Sequence, residues 1–148
     1  MYIAEYIEYK IKIMIDLEKV SIFISGNTPS SKNRQVITPN GNLVAGQSVV
    51  RWKRKTENEW ITKRQIFLDH LKGLSRPYNI EFTFHRLRDI TFDYINAAQA
   101  VQDAMVKYGW IYDDGCYDIK PFFGDYKHNK QKPGVYIRIL KQPIPELL

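Results

Sequence analysis

The sequence predicts an α+β fold, a single domain with a mixed or antiparallel sheet and two main helices. Three patterns point there. Tyr78, Ile80, Phe82 and Phe84 alternate with Asn79, Glu81, Thr83 and His85, the period of a strand with one face buried. Val49, Trp52, Thr56, Trp60, Phe67 and Leu71 recur close to helical spacing, with Lys, Arg and Glu on the remaining face. Pro39-Asn40-Gly41 lies between Gln35 to Thr38 and Asn42 to Val44, and Asn-Gly is a strong hairpin signal because both residues accept positive φ. At 148 residues the chain is long enough to bury a core without staples.

In chain order, residues 1–15 alternate loosely, with Ile7, Tyr9, Ile11 and Ile13 on one side, which is compatible with a strand. Residues 1–19 are therefore read either as an amino-terminal extension with no essential role or as an added edge strand, ahead of a domain over residues 20–148. Val20 to Ile24 reads as a short buried strand ending at Gly26-Asn27. The polar loop that follows, through Arg34, has no residue able to build a core, so its basic side chains face solvent or a ligand. The amphipathic helix after Ser48 ends at Gly73, and the strand from Tyr78 delivers the chain to Arg86, Arg88 and Asp89.

Asp93 occupies an N-cap position, so a second helix begins near Tyr94, with Ala97, Ala98, Ala100 and Ala104 permitting close backbone approach. Gly109 stops it, Trp110 and Ile111 turn back to the core, and Asp113 and Asp114 fall in a turn closed by Gly115. Ile119 to Tyr126 and Val135 to Leu140 are expected to pair antiparallel across a basic loop, Lys127 to Gly134.

The net charge of +6 and a pI near 9.3 suit a polyanionic partner, and the distribution of charge adds to this. Basic residues cluster at Lys32 to Arg34, Arg51 to Lys55, Lys63-Arg64, Arg86 to Arg88 and Lys127 to Lys132, around an acidic centre from Asp89 to Asp114. A single cysteine, Cys116, excludes an intramolecular disulfide, and no signal-peptide pattern or long apolar run occurs, so a cytoplasmic protein with no membrane role is expected. The three histidines lack zinc-ligand spacing, and no Gly-rich phosphate loop is present.

Asp93-x-x-Asn96, then Asp103-Ala104-Met105, then Gly-Trp-Ile-Tyr-Asp113-Asp114 resemble the core of the RusA-type Holliday-junction resolvases, which carry DxDNxxKxxxDAL followed by W/I-x-DD. Pro29-Ser30-Ser31-Lys32-Asn33-Arg34 and Lys127 with Pro133-Gly134-Val135 resemble the family's flanking motifs, so the similarity spans roughly Val20 to Leu140. It departs at two positions, Ile95 for the family's second aspartate and Gln99 for its lysine. The resemblance implies an Mg²⁺-dependent (or Mn²⁺-dependent) endonuclease that resolves branched DNA as a homodimer, in a phage or prophage setting. Asp93, Asp114, Asp113 and Asp89 become its catalytic carboxylates, the first three also its metal ligands. Lys32, Asn33, Arg34, Arg86, Arg88, Lys127, Lys130 and Lys132 become its DNA contacts. Mg²⁺ takes oxygen ligands, typically one or two carboxylates plus waters, so this set suffices. Asp103 stands apart from Asp93 by about 15 Å along the helix axis at 1.5 Å per residue. The alternative implied by Ile95 and Gln99 is a branched-DNA-binding protein of the same fold with weakened or no cleavage.

Overall fold

The computed structural model describes residues 2–30, 36–41, 43–44 and 47–142. The chain runs through α1 (Ile3–Val20), β1 (Ser21–Ser25), β2 (Val36–Ile37), β3 (Leu43–Val44), α2 (Gln47–His70), β4 (Tyr78–Arg86), α3 (Tyr94–Lys107), β5 (Ile119–Phe123), β6 (Lys127–His128) and β7 (Gly134–Ile139). Helices and a mixed sheet are both present, so the fold is α+β.

The sheet is built on β4. Along one edge lies β7, antiparallel, with Phe82 opposite Ile137, and β1 pairs antiparallel beyond it. Along the other edge lie β5 and then β6, both parallel to β4. Parallel neighbours need a long crossover, and α3 is the crossover between β4 and β5. The separate β2–β3 hairpin turns at Gly41, with φ +81° and its N–H bonded to the Thr38 carbonyl at 2.8 Å, as the Asn-Gly signal predicts.

The alternation of β4 buries Ile80, Phe82 and Phe84 completely. They join Ile24, Val135 and Ile137 of the sheet, the alanine row of α3, and Trp52, Trp60 and Phe67 of α2 in one core. The exit from α3 is locked into this core. Its last turn closes with the paired bonds of a Schellman motif, Gly109 N–H to Val106 and Trp110 N–H to Met105, and Gly109 takes φ +74°. Trp110 then wedges edge-on against Trp60 and tilted against Phe67, both at 4.9 Å between centroids, and its indole N–H donates to the Trp60 carbonyl at 2.8 Å. Arg64 Nε donates to the Gly109 carbonyl at 3.1 Å, a second tie between α2 and the same corner.

Two expectations are corrected. The amino-terminal segment is not a strand but the helix α1, so the described helices number three. Tyr2, Tyr6 and Tyr9, and Ile3, Ile7 and Ile11, recur at three- and four-residue steps that fit a helix as well as their alternation fits a strand, and no Gly or Pro interrupts residues 3–20. Every described side chain from residue 2 to residue 12 is exposed, including those aromatic and aliphatic ones. The strands after the acidic turn do not pair with each other either. β4 lies between β5 and β7, because the chain leaving α3 returns parallel to β4, and β7 takes the opposite edge.

Replacing Trp110 by Ala removes the largest wedge between α2 and α3, and by analogy with buried aromatic truncations it costs about 3–5 kcal/mol. Urea unfolding monitored by circular dichroism checks this. A loss below about 1 kcal/mol, within the range of ordinary surface substitutions, would show that the corner is not held by this ring.

Candidate functional site

The end of β4 and the head of α3 are joined by residues 87–93. Asp93 caps α3 from extended backbone (φ −96°, ψ 115°). Its Oδ1 accepts from Ile95 N–H at 2.9 Å and Asn96 N–H at 3.3 Å, and its Oδ2 accepts from the Asn96 side-chain amide at 3.2 Å. Both oxygens of Asp93 are therefore engaged. Ile95, where the resembling family has an aspartate, is 66% exposed and contributes nothing to the core. Asp89 is tied elsewhere, accepting a hydrogen bond from the Tyr126 hydroxyl, and that bond raises the tyrosine's pKa. Tyr126 in turn packs on Phe92, and its N–H donates to the Tyr94 hydroxyl at 3.2 Å.

The acidic turn reaches the middle of α3. Gln99 Nε2 donates to Asp103 Oδ1 at 2.7 Å and to Asp114 Oδ2 at 3.2 Å, so those two oxygens lie no farther apart than the two bonds laid end to end. Asp113 Oδ1 accepts from Asp114 N–H at 2.9 Å, which fixes the turn between them. Asp103 thus belongs with Asp114, a grouping the sequence did not reveal because nothing local relates a helix position to a turn eleven residues on. At 1.5 Å per residue Gln99 stands about 9 Å along the axis from Asp93. Among the described residues no group of three or more Asp, Glu, His or Cys is placed to share a metal ion. Tyr112 and Tyr117, at 85% and 86% exposure, flank the acidic turn with their rings in solvent, and no local sequence pattern marks them as exposed.

The basic residues divide. Arg86 is half-buried, its Nη1 donating to the Thr28 carbonyl and its guanidinium lying 4.8 Å over the Phe92 ring. Desolvation lowers its pKa from the ordinary arginine value. Arg88, Lys127, Lys130 and Lys132 are exposed. The Lys132 ammonium rests 4.7 Å over Phe23, and Lys127 is paired with His85 in the sheet, which brings the loop from β6 to β7 to the end of β4. Lys32, Asn33 and Arg34 lie outside the described residues. A cleft of about 620 Å³ opens between the end of β4 and the head of α3, walled by Asn27, Ser30, Ser48, Arg86, Phe92 and Asp93 among others. No protein-family model matches the chain, and no curated protein matches it.

Half-buried His85 has its pKa lowered, by desolvation first and then by Lys127 and Lys132, while its Nδ1 lies 3.4 Å from the Asn129 amide and its ring packs on Tyr136. Above about pH 6.5 the imidazole is neutral folded and unfolded alike. As pH falls through that value the unfolded chain binds its proton first, so stability declines until the folded-state pKa is reached, then levels off. Denaturant unfolding from about pH 8 to about pH 5 should show this decline and lose part of it in His85→Gln. Identical pH slopes for the two proteins would exclude His85 as its source.

Proposed function

We propose that the protein is a metal-dependent, structure-selective endonuclease acting on branched DNA, of the RusA type that its motifs resemble, working as a cytoplasmic homodimer. What supports this most is the meeting of Asp103 and Asp114 at Gln99, on the helix that Asp93 caps. Two carboxylate oxygens converge there on one amide donor, and an amide N–H stands where a cation would balance both charges. The residues fit Mg²⁺ or Mn²⁺, which takes one or two carboxylates and keeps waters. Asp114 and Asp103 would hold it, with Asp113 beside them and Asp93 at the helix head. The ion, when bound, activates the attacking water and neutralises charge developing on the phosphodiester.

The chain's own residues supply the rest. Exposed Lys127, Lys130, Lys132 and Arg88 meet backbone phosphates without reading sequence. Tyr112 and Tyr117, free beside the acidic turn, offer rings on which unpaired bases at a branch point stack, which discriminates a junction from continuous duplex. Two cuts across a symmetric junction need two sites, and a two-fold dimer supplies them.

A second reading has its own observation. Gln99 holds a neutral amide between the carboxylates where the family has a lysine, and Ile95 is apolar and exposed, which favours a protein that binds branched DNA without cutting it.

Nicking of an end-labelled four-way junction separates the two. Asp114→Asn and Asp103→Asn should each lower Mg²⁺-dependent cleavage by more than about a hundredfold, since a metal supplies several kcal/mol and 1.36 kcal/mol is tenfold. Junction binding should persist in both, because each loses a negative charge that repels phosphate. Wild-type cleavage by Asp114→Asn would refute the nuclease reading. A wild type that binds junctions selectively but never cuts, and that cuts after Ile95→Asp with Gln99→Lys, would establish the second.

A further inference from the structure

We infer that the cleft above the head of α3 is a pocket for a phosphate group, received by the Arg86 guanidinium with Asn27, Ser30 and Ser48 around it. A guanidinium keeps its charge at any working pH, and a half-buried charge is costly without a partner. Among the described residues Arg86 makes one hydrogen bond, to the Thr28 carbonyl, and no ion pair. Arg76 and Arg138, by contrast, each meet a carboxylate at 3.0 Å, Asp118 and Glu81. Asp93 is the carboxylate on the same cleft, but its oxygens are taken by Ile95 and Asn96.

The polar groups around Arg86 are similarly uncommitted. Of the buried side-chain atoms without a partner among the described residues, Ser30 Oγ, Ser48 Oγ and Arg86 Nε belong to residues of the cleft wall, and Thr28 Oγ1 to the segment between wall residues Asn27 and Pro29. Native structures leave few such groups unsatisfied, and several at one place suit an occupant rich in oxygen atoms, a bound anion or ordered water. Asn27 accepts from Leu87 N–H with its Oδ1, which leaves its NH₂ as a donor. The serine hydroxyls do not touch solvent, and rotation about χ1 between staggered positions is the motion that turns them to a bound oxygen. Several hydroxyl and N–H donors around one arginine suit the several oxygens of a phosphate better than the two of a carboxylate. At about 620 Å³ the cleft also has room for a nucleoside attached to that phosphate.

The phosphate is either a diester inside a strand or a monoester at a strand end, and only this choice of a nucleic-acid source rests on the function proposed above. Calorimetric titration without metal, using inorganic phosphate and then a dinucleotide with or without a 5′-phosphate, tests the pocket. Inorganic phosphate should bind the wild type, and Ser48→Ala and Arg86→Lys should each weaken it by about tenfold or more, the loss expected for a hydrogen bond to a charged group. Ser48→Ala should unfold at the same or a higher temperature, since its hydroxyl has no partner to lose. Tighter binding of the 5′-phosphorylated dinucleotide assigns the pocket to strand ends, and equal binding of the two assigns it to internal diesters. No phosphate binding by the wild type, or equal binding by both variants, would overturn the pocket. Because no metal or cleavage enters the measurement, either result leaves the nuclease reading to its own test.

Discussion

The indole of Trp110 ties the exit of α3 to α2. It closes the end of α3, fills the angle between Trp60 and Phe67, and binds its N–H to the backbone of α2. A tryptophan buried with its N–H satisfied combines a large apolar contact with one directional bond, so it fixes orientation as well as distance. Gly109 makes this possible by taking positive φ just before it. Because the chain leaves Trp110 in one direction only, the Asp113-Asp114 turn comes back over α3, and Asp114 meets Gln99 there.

β4 organises the opposite charge. As the central strand it is held on both edges, so His85 at its end is paired with Lys127 on one side and Gly134 on the other, and Arg86 with His128 on one. Behind them Phe84, Phe92, Tyr94, Phe123 and Tyr126 pack ring against ring, an apolar wall that supports the segment from β4 to α3. Arg86 lies on that wall and faces a cleft walled by both polar and apolar residues, and the loop after β6 begins at its backbone, where Asn129 N–H donates to the Arg86 carbonyl at 2.9 Å. The acidic face of α3 and the basic end of β4 therefore flank the same helix.

α1 presents a different physical situation. Most helical stability in proteins comes from packing an apolar face, yet among the described residues the side chains from Tyr2 to Lys12 are all exposed. Its apolar residues span more than a narrow stripe, since Tyr2, Tyr6 and Tyr9 lie to one side of Ile3, Ile7 and Ile11 on the helical wheel. No helix among the described residues is long and apolar enough to cross a membrane.

The sequence by itself determined whatever depends on local spacing. The alternation of β4, the apolar stripe of α2, the Asp93 cap and Gly109 stop of α3, and the Asn-Gly turn are each set within a few residues, where sterics and hydrogen bonding leave one good solution. At residues 2–11 the same apolar set satisfied two periods, so local pattern alone could not choose helix over strand. Pro121 lacks the N–H that a central strand needs and so marks β5 for an edge, but only the tertiary structure decided which strand it lies against. It alone joined Asp114 to Asp103 through Gln99, and left Arg86 half-buried with no carboxylate paired to it among the described residues. Those outcomes rest on contacts between segments distant in the chain, whose free energy belongs to the assembled core and to no single stretch of residues.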